Sequence, residues 1–375
     1  MLIQQIDIYS ASLPYAGGSY RLSGGRVYTA FEATIAKVTT NTGLVGWGES
    51  TPFGATYINA HAGSVRAGLQ VLAPAVMGLD PRCLDRINAA MDEALLGTLE
   101  AKTAIDVACW DIFGKAAGMP VCDLLGGRIE QSIPLISSIP VDTPRAMRAS
   151  VADYRARGFG GHSVKIGSDE SEGGPSTDAA RLAACLADRQ PGEWFLADAN
   201  NSMTPEQVLR LLKLLPDGLD FVLEAPCANW RETLSLRQRC SVPILLDELI
   251  QSEQDAIFAI SQDACDGLGI KISKQGGLTR SRRLRDLCVS AGLVASTQET
   301  VGSTIAFAAL LHLAQSTPAK TLRCALDTRA MVSRQLADFD APIQNGGVTA
   351  PNEPGLGMQV HEQDLGAPIM TFGAK

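Results

Sequence analysis

The sequence is short of histidine and of basic residues, and each shortage excludes a class of function. Its four histidines stand at positions 61, 162, 312 and 361, no two of them at helical spacing, which argues against a zinc site. Lysine and arginine together number 32 against 40 aspartates and glutamates, so the formal net charge is −8. A chain this acidic is not expected to bind nucleic acid or an anionic membrane surface.

Motifs for disulfide frameworks, secretion and nucleotide binding are also missing. The nine cysteines include no C-x-x-C pair, which indicates a reducing compartment. The first residues show no basic segment followed by a long apolar run, so we expect no signal peptide and no membrane span, and we predict a cytoplasmic protein. No G-x-G-x-x-G or P-loop follows a predicted strand, which argues against a dinucleotide or a nucleoside triphosphate as ligand.

The sequence contains enough apolar residues for a large hydrophobic core. Its 375 residues are 46% hydrophobic and 19% charged, which suits a parallel α/β barrel of about 250 residues with a smaller domain beside it. Residues 1–127 predict an α+β capping domain with strands at 33–39 and 44–49 and helices at about 61–77, 85–96 and 101–117. The loops at about 14–27 and 51–60 are interpreted as lids over a site, with plain connections as the alternative.

Strand and helix patterns alternate from residue 128 to about 345. The amphipathic stretches 179–187, 206–215 and 278–291 separate short apolar runs. This rhythm predicts a closed (β/α)8 barrel of the TIM type, with the tail 346–375 returning to the capping domain. The eight predicted strands are 133–139, 162–166, 194–198, 221–224, 244–247, 267–272, 293–297 and 322–326.

Charged residues stand at or just beyond the ends of five successive predicted strands. They are Lys165, Asp198, Glu224, Asp247 and Lys271. Because the carboxyl ends of parallel strands meet at one end of a barrel, we expect these side chains to converge there.

Three converging carboxylates would repel each other, and a hard dication removes that conflict. Oxygen ligands in small number favour Mg²⁺, and three unrelated salt bridges are the alternative. The two lysines would flank whatever the metal holds, with pKa values lowered enough to act as bases. Lys213 and Lys274 are interpreted instead as surface residues that reach solvent.

The motifs resemble those of the enolase superfamily, in its muconate-lactonizing and mandelate racemase-like branch. That resemblance implies that Lys165 and Lys271 are the acid/base pair, that Asp198, Glu224 and Asp247 bind Mg²⁺, and that Asn200 and Glu248 support them. The matching stretches are Gly46-Trp47-Gly48-Glu49, Ala104 to Asp111, Leu124-Leu125-Gly126-Gly127, Val164-Lys165-Ile166-Gly167, Ala197-Asp198-Ala199-Asn200, Leu223-Glu224-Ala225-Pro226, Asp247-Glu248, Ile270 to Gly277 and Pro354-Gly355-Leu356-Gly357.

One position departs from the branch, which usually has Lys-x-Lys on the second barrel strand. This chain has Ser163-Val164-Lys165, so the residue that tunes the pKa of the catalytic lysine differs. The lysine that would contact substrate is retained.

Within the branch, the lid segment Thr51 to Tyr57 and the strand ends Ser137-Ser138 and Ser296 to Thr300 resemble cis-3-hydroxy-L-proline dehydratases. The resemblance implies an amino- or imino-acid substrate, dehydrated to Δ1-pyrroline-2-carboxylate by α-proton removal through a metal-stabilised enediolate, with 2-epimerisation as a side activity. It also implies a homo-oligomer. Substrate contacts are expected from Tyr57, Gln298, Glu299 and Asp327; Asp327 would pair with the ring nitrogen or be a structural acid.

Three alternatives remain open from the sequence. A proline-betaine or hydroxyproline-betaine 2-epimerase would need an aromatic box for its quaternary nitrogen, and the end of the eighth predicted strand, Ala325-Leu326-Asp327-Thr328, has no aromatic residue. Amino-acid, N-acylamino-acid or dipeptide epimerases and lactonizing isomerases share the scaffold. A barrel that only binds metal or a small acid, without catalysis, is the third.

Overall fold

The computed structural model describes residues 1–344 and 346–373, and its N-terminal part is an antiparallel sheet covered by helices. The strands are β1 (Ile3–Pro14), β2 (Tyr20–Arg21), β3 (Val27–Tyr28), β4 (Ala30–Thr40) and β5 (Val45–Ser50). β1, β4 and β5 pair in that order, while β2 and β3 form a small separate hairpin inside the predicted lid 14–27. The turn between β4 and β5 uses Gly43 at φ 82°, a left-handed conformation that glycine adopts without strain.

Four helices follow the sheet: α1 (Ala62–Val76), α2 (Leu84–Ala94), α3 (Leu99–Ala117) and α4 (Val121–Leu124). α3 ends at Gly118 in the left-handed conformation, φ 65°. α3 is buried on nearly every side because it lies between the sheet and the barrel. A Cβ on Gly46 or Gly48 would come within 2.1 Å of α3 backbone oxygens, so glycine at both positions lets β5 pack directly on the helix.

Eight parallel strands close into a barrel, which confirms the predicted fold. Neighbours pair in chain order, and the last strand pairs with the first through Ala325 and Leu135. The strands are β6 (Ile133–Ile139), β7 (Gly161–Lys165), β8 (Trp194–Asp198), β9 (Val222–Glu224), β10 (Ile244–Leu246), β11 (Gly267–Lys271), β12 (Val294–Gln298) and β13 (Leu322–Leu326).

Helices follow the first seven barrel strands, and a 3₁₀ turn, Thr328–Ala330, follows the eighth. No helix of the described residues is long and apolar enough to cross a membrane. The helices are α5 (Pro144–Ala156), α6 (Gly174–Leu186) with a preceding 3₁₀ turn at Glu170–Glu172, α7 (Pro205–Leu214), α8 (Trp230–Arg237), α9 (Glu253–Ser261), α10 (Ile272–Gln275), α11 (Leu278–Ala291) and α12 (Thr304–Gln315).

The C-terminal segment touches both parts of the molecule. Its elements are β14 (Ala337–Phe339), β15 (Gly347–Val348), β16 (Met358–Val360), α13 (Glu362–Leu365) and β17 (Met370–Gly373). β15 pairs with barrel strand β6, and β17 pairs with β1 of the capping sheet. Asn345, which ends the predicted barrel segment, and Ala374 and Lys375, which end the predicted tail, lie outside the described residues.

Buried carboxylates on α3 fasten the capping helix to the barrel. Asp106 accepts hydrogen bonds from the backbone N and the hydroxyl of Thr279 at 3.1 and 2.6 Å, at the start of α11. Asp111 accepts from Leu356 N of the C-terminal segment at 2.9 Å and from Trp47 N at 3.1 Å. Both acids are fully buried, so these bonds satisfy groups that would otherwise be costly to remove from water. The cap is thereby held over the carboxyl end of the barrel.

Candidate active site

Three carboxylates stand at the carboxyl ends of neighbouring barrel strands. Asp198 and Glu224 end β8 and β9 and are Cα partners in the sheet, and Asp247 follows β10 directly. Their exposures are 2%, 1% and 0%, so all three are buried acids. The structure thus brings together the set that the sequence analysis singled out.

Two lysines face these carboxylates from opposite walls. Lys165 ends β7, the second barrel strand, and Lys271 ends β11, the sixth of eight. The Lys165 ammonium donates to Asp198 Oδ2, and the Lys271 ammonium donates to Asp247 Oδ2 and to the Tyr57 hydroxyl. Ser163 Oγ lies 3.5 Å from Lys165 Nζ, so a hydroxyl stands close to the lysine at the position of the branch's usual first lysine.

The lysine pKa values differ from the sequence prediction, which expected them to be lowered. Burial lowers the pKa of Lys165, but the charges of Asp198, Tyr20 and Glu224 outweigh it, and the pKa is raised. Burial also lowers the pKa of Lys271, but nearby negative charges, that of Asp247 above all, outweigh it and raise the pKa. In this arrangement both amines hold their protons, because each ammonium group is paired with a carboxylate.

Lys274 is not the surface residue that the sequence predicts. It is 5% exposed, and its ammonium group donates to the backbone oxygen of Asp247 and, at 2.6 Å, to Asp247 Oδ1. The short helix α10 turns the chain directly after β11, so that Lys274 returns to the same acid as Lys271. Lys213, by contrast, is exposed on α7 as predicted.

The opposing charges shift the acids in different directions. Burial raises the pKa of Asp247, but Lys271 and Lys274 outweigh it and lower the pKa to about 2. Glu224 has its pKa raised well above the usual range by burial and by the charges of Asp198 and Asp247. An acid in that position is stable as an anion only if more positive charge reaches it.

The donor set fits a hard dication. Among the described residues no three acid, histidine or cysteine side chains already form a metal cluster. Ammonium groups lie on one carboxylate oxygen each of Asp198 and Asp247. Glu248 Oε2 is buried without a hydrogen-bond partner, and Asn200 Nδ2 donates to Asp198 Oδ2 and Glu248 Oε1 at 3.1 and 2.9 Å. Gly269 leaves space beside Glu224, since a Cβ there would lie 3.2 Å from Glu224 Oε1. Carboxylates clustered beside free space are the ligands that Mg²⁺ prefers.

A small enclosed cavity lies between the two lysines. Its volume is about 30 Å³, room for about two water molecules, so a substrate enters only if the covering loops shift. The cavity is lined by Tyr20, Leu22, Phe53, Tyr57, Ile136, Ser138, Ser163, Lys165, Lys271, Gln298, Glu299, Thr300, Leu326 and Met331.

The two predicted lid segments close this cavity from the capping side. From the first segment, the Tyr20 hydroxyl is 2.5 Å from Ser138 Oγ. Arg26 donates to the backbone oxygens of Ser23, Thr56 and Asn200 at 2.9, 3.0 and 3.2 Å, which joins both lids to the barrel. Arg26 was not singled out from the sequence, because two of its three partners are backbone atoms 30 and 174 residues along the chain.

Gln298 and Glu299 both reach the cavity. Gln298 Nε2 donates to Glu224 Oε1 at 2.9 Å. Glu299 accepts from Ser273 N and Oγ at 2.7 and 2.5 Å and from Thr300 N at 3.0 Å. Burial outweighs these bonds and raises the pKa of Glu299 to about 7.

Asp327 forms an ion pair with Arg329 and is not among the residues that line the cavity. Both of its carboxylate oxygens accept bonds from Arg329, at 2.9 and 2.8 Å, and Oδ1 also caps the 3₁₀ turn after β13. A carboxylate held in this way has a cationic partner already. These contacts fit the alternative of a structural acid, and a contact between Asp327 and substrate stays a prediction.

A larger cavity of about 600 Å³ adjoins the first across Tyr57. Tyr57 lines both, and the outer one also contacts Glu100, Glu248 and Lys274 between the cap and the barrel. The side chain of Tyr57 thus separates Lys165 and Lys271 from this wider space.

Family models match both parts of the chain. The enolase C-terminal domain-like model covers residues 146–364, and the mandelate racemase/muconate lactonizing enzyme N-terminal domain model covers residues 20–126. The chain therefore belongs to the mandelate racemase/muconate lactonizing enzyme branch of the enolase superfamily and is an enzyme of that superfamily.

Relatives resemble the chain over its whole length. A cis-3-hydroxy-L-proline dehydratase of Roseibium aggregatum is 35% identical, covering 99% of this chain and 100% of its own. An N-succinyl-L-Arg/Lys racemase of Bacillus cereus is 26% identical over 97% of each chain. A crystal structure of a mandelate racemase/muconate lactonizing enzyme homologue from Roseovarius nubinhibens, complexed with magnesium, superimposes with a TM-score of 0.98 at 60% identity and full coverage of both chains.

Proposed function

We propose that the protein catalyses the magnesium-dependent dehydration of cis-3-hydroxy-L-proline to Δ1-pyrroline-2-carboxylate, with 2-epimerisation as a side reaction. The observation that carries the proposal is the placement of Lys165 and Lys271 on opposite walls of one buried cavity, beside three carboxylates. The full-length similarity to a cis-3-hydroxy-L-proline dehydratase supports the choice of substrate. A barrel that only binds a ligand would not need two buried lysines across one cavity.

Asp198, Glu224 and Asp247 would hold the metal, with Asn200 and Glu248 orienting Asp198. The solved homologue that is complexed with magnesium supports the choice of magnesium as the metal. When bound, Mg²⁺ supplies positive charge next to the substrate carboxylate, which favours loss of the neighbouring α-proton.

The lysines carry the proton transfers. If Asp198 and Asp247 held the metal, their negative charge would no longer raise the pKa of Lys165 and Lys271 as strongly. A neutral amine at Nζ could then remove the α-proton. Loss of the 3-hydroxyl then gives the enamine, which tautomerises to the cyclic imine. If the hydroxyl is retained, the lysine on the other wall, which has kept its proton as an ammonium group, donates that proton to the opposite face and the epimer forms.

The closed lids keep water from this chemistry. Tyr20, Phe53 and Tyr57 place three aromatic side chains over the lysines, and these rings leave little room for water beside the reacting groups.

A second candidate is 2-epimerisation of a proline betaine. The end of the eighth strand has no aromatic residue to contact a quaternary nitrogen, but the two lids contribute aromatic rings to the cavity. Rings of this kind stabilise a quaternary nitrogen. Similarity to an N-succinyl-L-Arg/Lys racemase also supports epimerisation at an α-carbon.

Proton NMR in D₂O tests both functions on the purified protein. With Mg²⁺ and a panel of proline, hydroxyproline, betaine and dipeptide isomers, we expect cis-3-hydroxy-L-proline to be consumed and α-deuterium to appear in the remaining substrate or its epimer. EDTA should abolish both signals. Exchange on a betaine or a dipeptide without dehydration would overturn the substrate assignment, and activity that survives EDTA would overturn the metal assignment.

A further inference from the structure

The proposed substrate requires that base and acid act from opposite sides. In cis-3-hydroxy-L-proline the hydroxyl and the carboxylate share one face of the ring, so the α-hydrogen lies on the other face. Elimination of water therefore needs a base on one wall of the cavity and a proton donor on the opposite wall. Hydroxide leaves poorly, which makes the proton donor as necessary as the base.

The barrel order places Glu299 on the wall of Lys271. Lys271 and Gln298 are Cα partners on the neighbouring strands β11 and β12, and Glu299 is the next residue. Ser273, two residues after Lys271, donates two of the three hydrogen bonds that hold Glu299. Lys165 ends the second barrel strand, on the far side of the cavity.

Among the described residues, the wall of Lys165 carries no acid besides the proposed metal ligands. Its other polar groups are the hydroxyls of Tyr20, Ser138 and Ser163, and burial raises the pKa of Tyr20 further. Glu299, in contrast, is 3% exposed and is bound only by neutral donors, so no cation in contact holds it as an anion.

Several titratable groups face Glu299. Glu49 approaches from β5 and raises its pKa, while Lys271, Lys165, Tyr57 and Tyr20 line the same cavity. With neutral donors and a nearby acid as its closest surroundings, the carboxyl group can carry a proton at neutral pH.

We propose that Lys165 removes the α-proton and that Glu299 protonates the departing 3-hydroxyl from the opposite wall. This assignment rests on the proposed function. The Lys165 amine forms a bond to the α-hydrogen, and the electron pair of the broken C–H bond passes into the carboxylate and then into the new Cα–C3 double bond. The C3–O pair leaves with oxygen, which takes the Glu299 proton and departs as water. Lys165 ends as ammonium and Glu299 as carboxylate, and both reset by proton exchange with solvent.

Product ratios distinguish Glu299 from Lys271 as the acid. In D₂O with Mg²⁺ and cis-3-hydroxy-L-proline, Glu299→Gln should lose dehydration by about 10²-fold or more while α-deuterated substrate and epimer still form. Lys271→Met should lose the epimer, so its ratio of dehydration to epimerisation rises where that of Glu299→Gln falls. Glu206→Gln, which changes an exposed acid on α7, is the matched control.

The opposite pattern, with dehydration kept in Glu299→Gln and lost in Lys271→Met, would assign the acid to Lys271 and overturn the proposal. A wild-type pH series decides the matter if Glu299→Gln does not fold. The ratio of dehydration to α-proton exchange should fall as pH rises through about 7, since Glu299 loses its proton there, and a flat ratio would overturn the proposal. Absence of wild-type dehydration, with or without exchange on another substrate, would instead overturn the proposed function and this inference with it.

Discussion

Asp247 is held by two ammonium groups at once, Lys271 on one carboxylate oxygen and Lys274 on the other. Asp198 has Lys165 on Oδ2, and Gln298 donates to Glu224. At the scale of single residues, three buried carboxylates thus face three buried ammonium groups. Such groups are stable in the interior only because they are paired.

Lys274→Met tests this pairing through stability. Removing one partner of a buried ion pair leaves an uncompensated charge, so we expect the free energy of unfolding to fall by about 3 kcal/mol. Urea titrations followed by circular dichroism measure it, and Lys213→Met on the exposed face of α7 is the control. Equal stability of the two variants would mean that Lys271 alone suffices to compensate Asp247.

The strand-end residues could be predicted from the sequence, whereas their neighbours could not. Lys165, Asp198 and Glu224 end apolar runs, and the barrel repeat brings such ends together. Lys274 was misjudged because the chain turns into a short helix directly after β11, which strand periodicity does not reveal. Asp327 was expected to contact substrate or to be a structural acid, and Arg329, two residues later, was a local signal for the ion pair that it forms.

At the scale of elements, all eight barrel strands lie within one residue of their predicted bounds, because each is a short apolar run between turn residues. The lids were recognisable only as loops of unusual composition. Their position depends on contacts between residues far apart in the chain, such as Arg26 with Asn200, 174 residues later. Local patterns carry no information about such contacts.

Arg26→Ala should loosen both lids together. The guanidinium group donates to backbone oxygens of the first lid, the second lid and the barrel, so its loss removes three restraints. We expect faster hydrogen exchange in segments 14–27 and 51–60 and a KM that rises several-fold more than kcat falls, since closure precedes chemistry. Hydrogen-exchange mass spectrometry reports it, with Arg21→Ala, an exposed residue of β2, as control. Unchanged exchange in both segments would show that the lids are held by other contacts.

At the scale of the whole molecule, His312 joins three distant segments. It lies on α12, accepts a bond from Cys122 N at Nδ1 (3.1 Å) and contacts the Leu356 oxygen through Nε2 (3.2 Å). Burial, with a smaller effect of Arg128, lowers its pKa to about 4. A proton added at Nδ1 would face the Cys122 N–H, so the link needs the neutral ring.

Stability should therefore fall in mild acid. The folded-state pKa lies below the unfolded value of about 6.5, so the stabilisation is fully present above pH 6.5 and is lost as pH falls towards 4. We expect a loss of about 2 kcal/mol by pH 5 from this residue. Urea titrations at pH 7.5 and 5 should show a shallower pH dependence in His312→Asn than in the wild type. His162, buried with a pKa of about 4, keeps a similar dependence in both proteins. Identical slopes would contradict the assignment to His312.

The fastening of α3 to the barrel has a consequence for how this enzyme can be altered. With Asp106 bound to Thr279 and Asp111 to Leu356, the cap has no freedom to swing as a body, and opening is left to two surface loops. Those loops supply the aromatic wall of the cavity, while the proton-transfer groups and the acids belong to the rigid part. Exchanging segments 14–27 and 51–60 together between homologues should therefore transfer substrate preference. The folded cap and barrel, with their proton-transfer groups and acids, should stay unchanged.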